Sequence, residues 1–168
     1  MNSRIENLSQ QLGSLLLSRQ LTVTCAESCT GGGIASAITD IPGSSQWFHV
    51  GFVTYSNETK QACLGVSIDA LNTEGAVSEL VVKQMADGAL AATEADLVVA
   101  VSGIAGPDGG SYNKPVGMVW FCWALHDKKT GLIIKNVTEC HQFTGGRATV
   151  RKASVERAIL GLIKLLEN

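Results

Sequence analysis

Residues 95–103, "ADLVVAVSG", form an almost unbroken apolar run. Successive side chains of a strand point to opposite faces of its sheet, so such a run fits a strand only if both faces are covered. A chain built around it needs helices on both sides of one sheet. The rest of the pattern agrees. Ile5, Leu8, Leu12, Leu15 and Leu16 recur at helical spacing over 4–19. "LTVTCA" (21–26) and "FHVGFVTY" (48–55) read as short strands, with "GGIASAITD" between them as a small-residue helix that stops near Pro42. "SNETKQACLG" opens on a capping serine and closes on glycine, and 78–92 predict a helix capped by Ser78. "MVWFCWAL" and "GLIIKNVTECHQF" predict adjacent strands joined by "HDKKTG". From Arg147 onward, apolar residues at 150, 155, 159, 162, 163 and 166 predict a closing helix. The expected fold is α/β: a single three-layer α/β/α domain over 1–168 with a mixed central sheet.

Composition narrows the function classes. With 168 residues, 45% hydrophobic and 17% charged, the chain can bury one proper core. A net charge of −2 leaves no electrostatic footprint for nucleic acid or an anionic membrane, so neither is an expected partner. No stretch approaches the ~18 consecutive apolar residues of a membrane span. The start, "MNSRIENLSQQLG", lacks the apolar core of a secretory signal. Five cysteines, odd in number and without motif spacing, fit a reducing, cytoplasmic setting. His49, His126 and His141 have no metal-ligand spacing and HExxH is absent, so no metal is expected.

Four polar, glycine-bearing segments follow strands, at the edge where open α/β sheets bind ligands. In "TCAESCTGGG" (24–33), Ser28 precedes three glycines at a helix start, whose N–H groups suit phosphate or a developing oxyanion. Ser28 and Thr30 could equally cap that helix while the glycines relieve crowding. In "TYSNETK" (54–60), Tyr55 ends a strand and Lys60 lies in the first turn of the next helix. The helix dipole and partial burial both disfavour a charged lysine there, and a neutral amine can activate a serine. An ordinary surface lysine is the alternative. "SGIAGPDGG" (102–110) can wrap a phosphate or sugar with backbone amides, or simply connect two strands. It lacks the Walker pattern, and no GxGxxG follows a strand. In "FTGGRATVR" (143–151), a guanidinium at a helix start points to an anion, most directly at Arg147 behind its glycines; pairing of Arg147 and Arg151 with acids such as Glu156 is the other reading. Cys29 is a lesser rival to Ser28 as nucleophile, and GxSxG is absent.

Together, "AESCTGGGIA", "IPGSSQWFHVGFVTYSNETK", "GAVSE", "SGIAGPDGG", "KPVGMVW" and the late "GGR" resemble, in order and over nearly the whole chain, the competence-damage-inducible CinA C-terminal family. The resemblance implies a stand-alone form that hydrolyses the carboxamide of nicotinamide mononucleotide, giving nicotinic acid mononucleotide and ammonia without a cofactor. It implies Ser28 as nucleophile, Lys60 as base and Tyr55 in support, with Ser45 assisting at the amide. Thr30, Gly31 and Gly32 at the helix start and Ser102, Gly103 and Gly106 in the long loop would hold the ligand, and Arg147 would meet its phosphate. Position 102 is often threonine in the family, and an acid often precedes the arginine where this chain has Gly146. A homodimer is expected, with the tryptophan-containing "VWFCWAL" strand and the small-residue helices as its surface. A non-catalytic pyridine-nucleotide sensor, or an amidase for another small phosphorylated amide, would use the same fold.

Overall fold

A computed structural model describes residues 3–167. Five strands, β1 (Val23–Glu27), β2 (Phe48–Val53), β3 (Leu97–Gly103), β4 (Met118–Asp127) and β5 (Leu132–Gln142), form one sheet in the order β2-β1-β3-β4-β5. β1 runs parallel to both β2 and β3, whereas β4 and β5 pair antiparallel, so the sheet is mixed as expected. Six helices surround it: α1 (Ser3–Arg19), α2 (Gly33–Thr39), α3 (Asn57–Leu64), α4 (Ile68–Thr73), α5 (Glu79–Ala92) and α6 (Arg147–Glu167).

The alternation of the strands divides the core into two. Leu97, Val99 and Val101 of β3 face a cluster with Leu12 and Leu16 of α1, Ile34 of α2 and Ile159 of α6. Val98 and Ala100, one residue out of phase, face Val82, Met85 and Ala89 of α5 with Leu64 of α3. That division explains why the 95–103 run shows no polar alternation: neither face of β3 meets water. "VWFCWAL" behaves similarly. Val119, Phe121 and Trp123 are buried in the first cluster and Cys122 and Ala124 in the second, while Met118 and Trp120 are half-buried. Exposed apolar side chains include Leu132, Ile133, Ile134 and Val137 on the edge strand β5, beside others such as Leu17, Val53, Ile68 and Leu80 elsewhere on the surface.

Helix ends follow local chemistry. Ser56 and Thr59 form a reciprocal capping box on α3, and Gly65 ends that helix at φ +66°. Ser78 caps α5 as expected. α4 leaves no helical period in the sequence because it spans only six residues, although Ser67 caps it through the Ala70 amide. Gly88 lets α5 press on the end of α3: a Cβ there would sit 1.8 Å from the carbonyl oxygen of Leu64. No described helix is long and apolar enough to cross a membrane.

Candidate active site

The parallel strands β1, β2 and β3 all end at one edge of the sheet, and β4 starts there. The segments leaving them enclose a cleft of about 280 Å³ lined by Ser28, Tyr55, Lys60, Ser102, Gly106 and Arg147. Gly103 also contributes to its wall. Strand polarity thus gathers residues from four separate stretches of the chain, Ser28 and Arg147 being 119 positions apart.

Lys60 is the central feature. It lies in the first turn of α3, one of the largest fully buried side chains in the protein at 1% exposure. Its Nζ is hydrogen-bonded to Ser28 Oγ at 3.0 Å and donates to the carbonyl oxygen of Thr54 at 2.8 Å. No carboxylate forms an ion pair with it among the described residues. Burial therefore pushes the amine below its ordinary pKa, with the nearby Cys29 acting the other way. Ser28 is itself buried, and its backbone N–H donates to Val101, which fixes the start of its loop on β3. With the amine neutral, the serine hydroxyl can donate to the Nζ lone pair across the same 3.0 Å. That is the geometry of a nucleophile with its base. Cys29 lines the same cleft, but burial pushes its thiol up to about 11, so it carries almost no thiolate near neutrality.

The helix start behind Ser28 holds an anion of the protein's own. Glu27, the last residue of β1, is 0% exposed, and its carboxylate accepts from three amides of the α2 start: Gly32 at 3.1 Å, Ile34 at 3.0 Å and Ala35 at 2.9 Å. The Gly31 and Gly33 amides donate to the carbonyls of Ser28 and Thr30. The expected use of Gly31 to Gly33 as oxyanion donors is thereby corrected: these N–H groups are already satisfied. Gly31 and Gly32 instead provide the positive φ values, +58° and +93°, of the turn from β1 into α2. Neither they nor Thr30 line the cleft. Thr30 is buried, with its carbonyl accepting from Arg151 Nη2 at 2.9 Å.

Arg147 and Tyr55 close one end of the cleft. Arg147 Nη1 donates to the Gly106 carbonyl at 2.9 Å and Nη2 to the Tyr55 hydroxyl at 2.8 Å. Neither arginine pairs with Glu156, which binds Arg4. The tyrosine's hydroxyl is thus engaged by Arg147, while Lys60 reaches Ser28 without an intermediary.

Ser45 is not brought to this cluster. Val23, at the start of β1, pairs with Phe48 at the start of β2, so the turn that carries Ser45 sits at the opposite sheet edge, where the serine is exposed. The expected assistance from Ser45 is corrected by strand polarity. Two residues of the site carry no motif signal, Glu27 and Asp108, and Arg151 braces the Thr30 carbonyl in place of an anion or an acid. An acid ending an apolar strand just before a cap-less, glycine-rich helix start was the available signal for Glu27.

A larger cleft of about 680 Å³ adjoins this one at Val77 and is lined by Glu74, Glu79, Lys83, Lys114 and Trp120. It contains no nucleophile joined to a base. Among the described residues, no group of three or more His, Cys, Asp or Glu side chains could hold a metal ion.

Comparison with known proteins places this geometry. Residues 5–166 match the CinA C-terminal domain. The chain is 55% identical over 166 residues to the nicotinamide-nucleotide amidohydrolase PncC of Enterobacter agglomerans, covering 98% of both chains. It is 51% identical over 158 residues to the protein of the same name from Escherichia coli K12, covering 94% of this chain and 92% of that one. The crystal structure of competence/damage inducible protein CihA from Agrobacterium tumefaciens superposes with a TM-score of 0.91 at 42% identity, over 98% of this chain and 96% of that chain. With the match running from the first helix to the last, the chain belongs to the CinA C-terminal domain family.

Proposed function

We propose that this chain, as one amidohydrolase domain, hydrolyses the carboxamide of nicotinamide mononucleotide to nicotinic acid mononucleotide and ammonia. The observation that carries the reading is the buried 3.0 Å contact between Lys60 Nζ and Ser28 Oγ at the wall of a ligand-sized cleft. Relatives 50–55% identical, named nicotinamide-nucleotide amidohydrolases, supply the substrate class.

In the proposed sequence, Ser28 Oγ attacks the carboxamide carbon while its proton passes to neutral Lys60. The C–N bond then breaks as Lys60 returns that proton to the departing ammonia, leaving an acyl ester on Ser28. Lys60 next takes a proton from water, which adds to the ester carbon; the ester C–O bond breaks and Ser28 recovers its proton. The oxyanion of each tetrahedral intermediate has to be met by donors other than the α2 amides, which Glu27 holds. The backbone of Ala105 and Gly106 and the buried Ser102 hydroxyl line the cleft and take this role. Thr54 O holds Lys60 on the serine, and Arg147 receives the substrate phosphate. Tyr55 positions Arg147 rather than relaying the proton. The setting is cytoplasmic, in keeping with five free cysteines. The working form is a homodimer, for which the exposed apolar residues of β5 provide the surface; a monomer by sedimentation at micromolar concentration would overturn that.

The decisive experiment measures ammonia release from nicotinamide mononucleotide, with chelator present, by the wild type beside Ser28→Ala and Lys60→Ala. Turnover in the wild type alone supports the reading. A folded wild type that releases no ammonia, or a Ser28→Ala enzyme with near-normal turnover, overturns it.

A further inference from the structure

We infer that Asp108 recognises the positive charge of the substrate's ring, so that the cleft selects a zwitterion: an N-substituted pyridinium at one end and a phosphate at the other. The inference rests on the amidohydrolase reading above and names what that reading leaves open, the feature of the ring that is recognised.

The argument is one of charge placement. Three side chains of formal charge line the cleft: Lys60, Arg147 and Asp108. Lys60 is spent on Ser28 and Thr54, and its burial favours the neutral amine. Arg147 is a permanent cation suited to phosphate. Left alone, it would make the cleft repel a pyridinium. Asp108 is the one carboxylate in the lining, and no ion pair or hydrogen bond engages that carboxylate among the described residues. Glu27 cannot substitute for it, being buried under the nucleophile loop with its oxygens on the α2 amides.

The rest of the cleft wall includes Ala76, Val77, Ile104 and Ala105, which can cover a flat ring but cannot solvate a cation, while Asp108 is exposed. A pyridinium seated against that wall gives up water, and the exposed, unpaired carboxylate of Asp108 in the same lining offsets part of that loss. The loop that carries Asp108 is held at its base. Gly106 O accepts from Arg147, Gly117 N donates to Ile104 O at 2.7 Å, and Ser111 N donates to Lys114 O at 2.8 Å. The two charges are thereby tied to one loop, with the Arg147 contact two residues before Asp108.

The test is calorimetric binding in a Ser28→Ala background, which leaves the nucleotide intact. The probes are nicotinamide mononucleotide, its neutral 1,4-dihydropyridine form and ribose 5-phosphate. The expected result is a preference on the order of tenfold for the cationic ring, falling toward one in Asp108→Asn through loss of affinity for the cationic form alone. Asp108→Lys should invert the preference. An unchanged preference in Asp108→Asn overturns the inference. So does an equal loss for all three probes, which would put the carboxylate on the sugar. If the parent enzyme releases no ammonia yet the charge preference still depends on Asp108, the amidohydrolase reading falls while the charge recognition stands. If neither nucleotide binds, both fall.

Discussion

Tyr55 and Arg147, 92 positions apart in sequence, are joined by a 2.8 Å hydrogen bond from the guanidinium Nη2 to the phenol oxygen. The tyrosine is 58% exposed, so it is held by this contact more than by packing. Tyr55→Phe should free Arg147 and raise KM several-fold, matching the roughly 0.5–1.5 kcal/mol of one hydrogen bond, with kcat little changed. Steady-state kinetics decide the matter. A large fall in kcat at unchanged KM would make the tyrosine a proton carrier instead.

Ser28 and Lys60 are expected to act as one unit. Each alanine variant should lose at least the 10²–10³ in kcat that removal of a single oxyanion donor costs in comparable sites. The double variant should be scarcely worse than either single one, because nucleophile and base fail together. Additive losses in single-turnover assays would show that the two side chains serve separate steps.

The buried amine also has a signature in stability. Its folded pKa lies below the ordinary lysine value, so between those two values the unfolded chain binds the extra proton and stability rises with pH. Lys60→Met removes this dependence. The variant should be inactive yet at least as stable as the wild type near neutrality, with its advantage shrinking as pH climbs toward the normal lysine range. Urea unfolding at several pH values measures it. The rate of the wild-type enzyme should rise with pH through the lowered Lys60 pKa, giving an acid limb below where a solvated lysine would place it.

Glu27→Gln leaves a neutral amide where a carboxylate accepts three amides, with one oxygen replaced by a donor. A destabilisation of about 1–3 kcal/mol is expected from the unpaired donors of α2, seen as a lower urea midpoint with unchanged slope. Gly88→Ala should destabilise by a similar amount for a steric reason. Its Cβ would collide with the Leu64 carbonyl and force α3, with Lys60 on it, away from α5. Activity should fall with stability there.

Much of this architecture was legible in the residues because burial leaves a periodic trace. The 95–103 run required two covered faces, and Val99 and Val98 do face different clusters. Ser28, Lys60 and Tyr55 stood out because each follows a strand at the ligand-binding edge of an α/β sheet. What stayed hidden depends on relations that no local window contains. Ser45 is excluded by the register of β1 on β2, which fixes the sheet edge it occupies. Glu27 reads locally as one more charged residue, and only the arrival of α2 above it shows that it claims the helix dipole. The six residues of α4 are too short for a period to emerge, so only the cap at Ser67 could have marked them.

The loop bearing Ser28 is pinned from two sides, by the Glu27 carboxylate beneath α2 and by Arg151 on the Thr30 carbonyl. Ser28 is therefore held in place by contacts that need no ligand. The guanidinium of Arg147 and the phenol of Tyr55 are held by fewer bonds and are exposed. On the proposed mechanism the serine is thus the more firmly held part of the site, and the arginine and tyrosine, each exposed, the more yielding one.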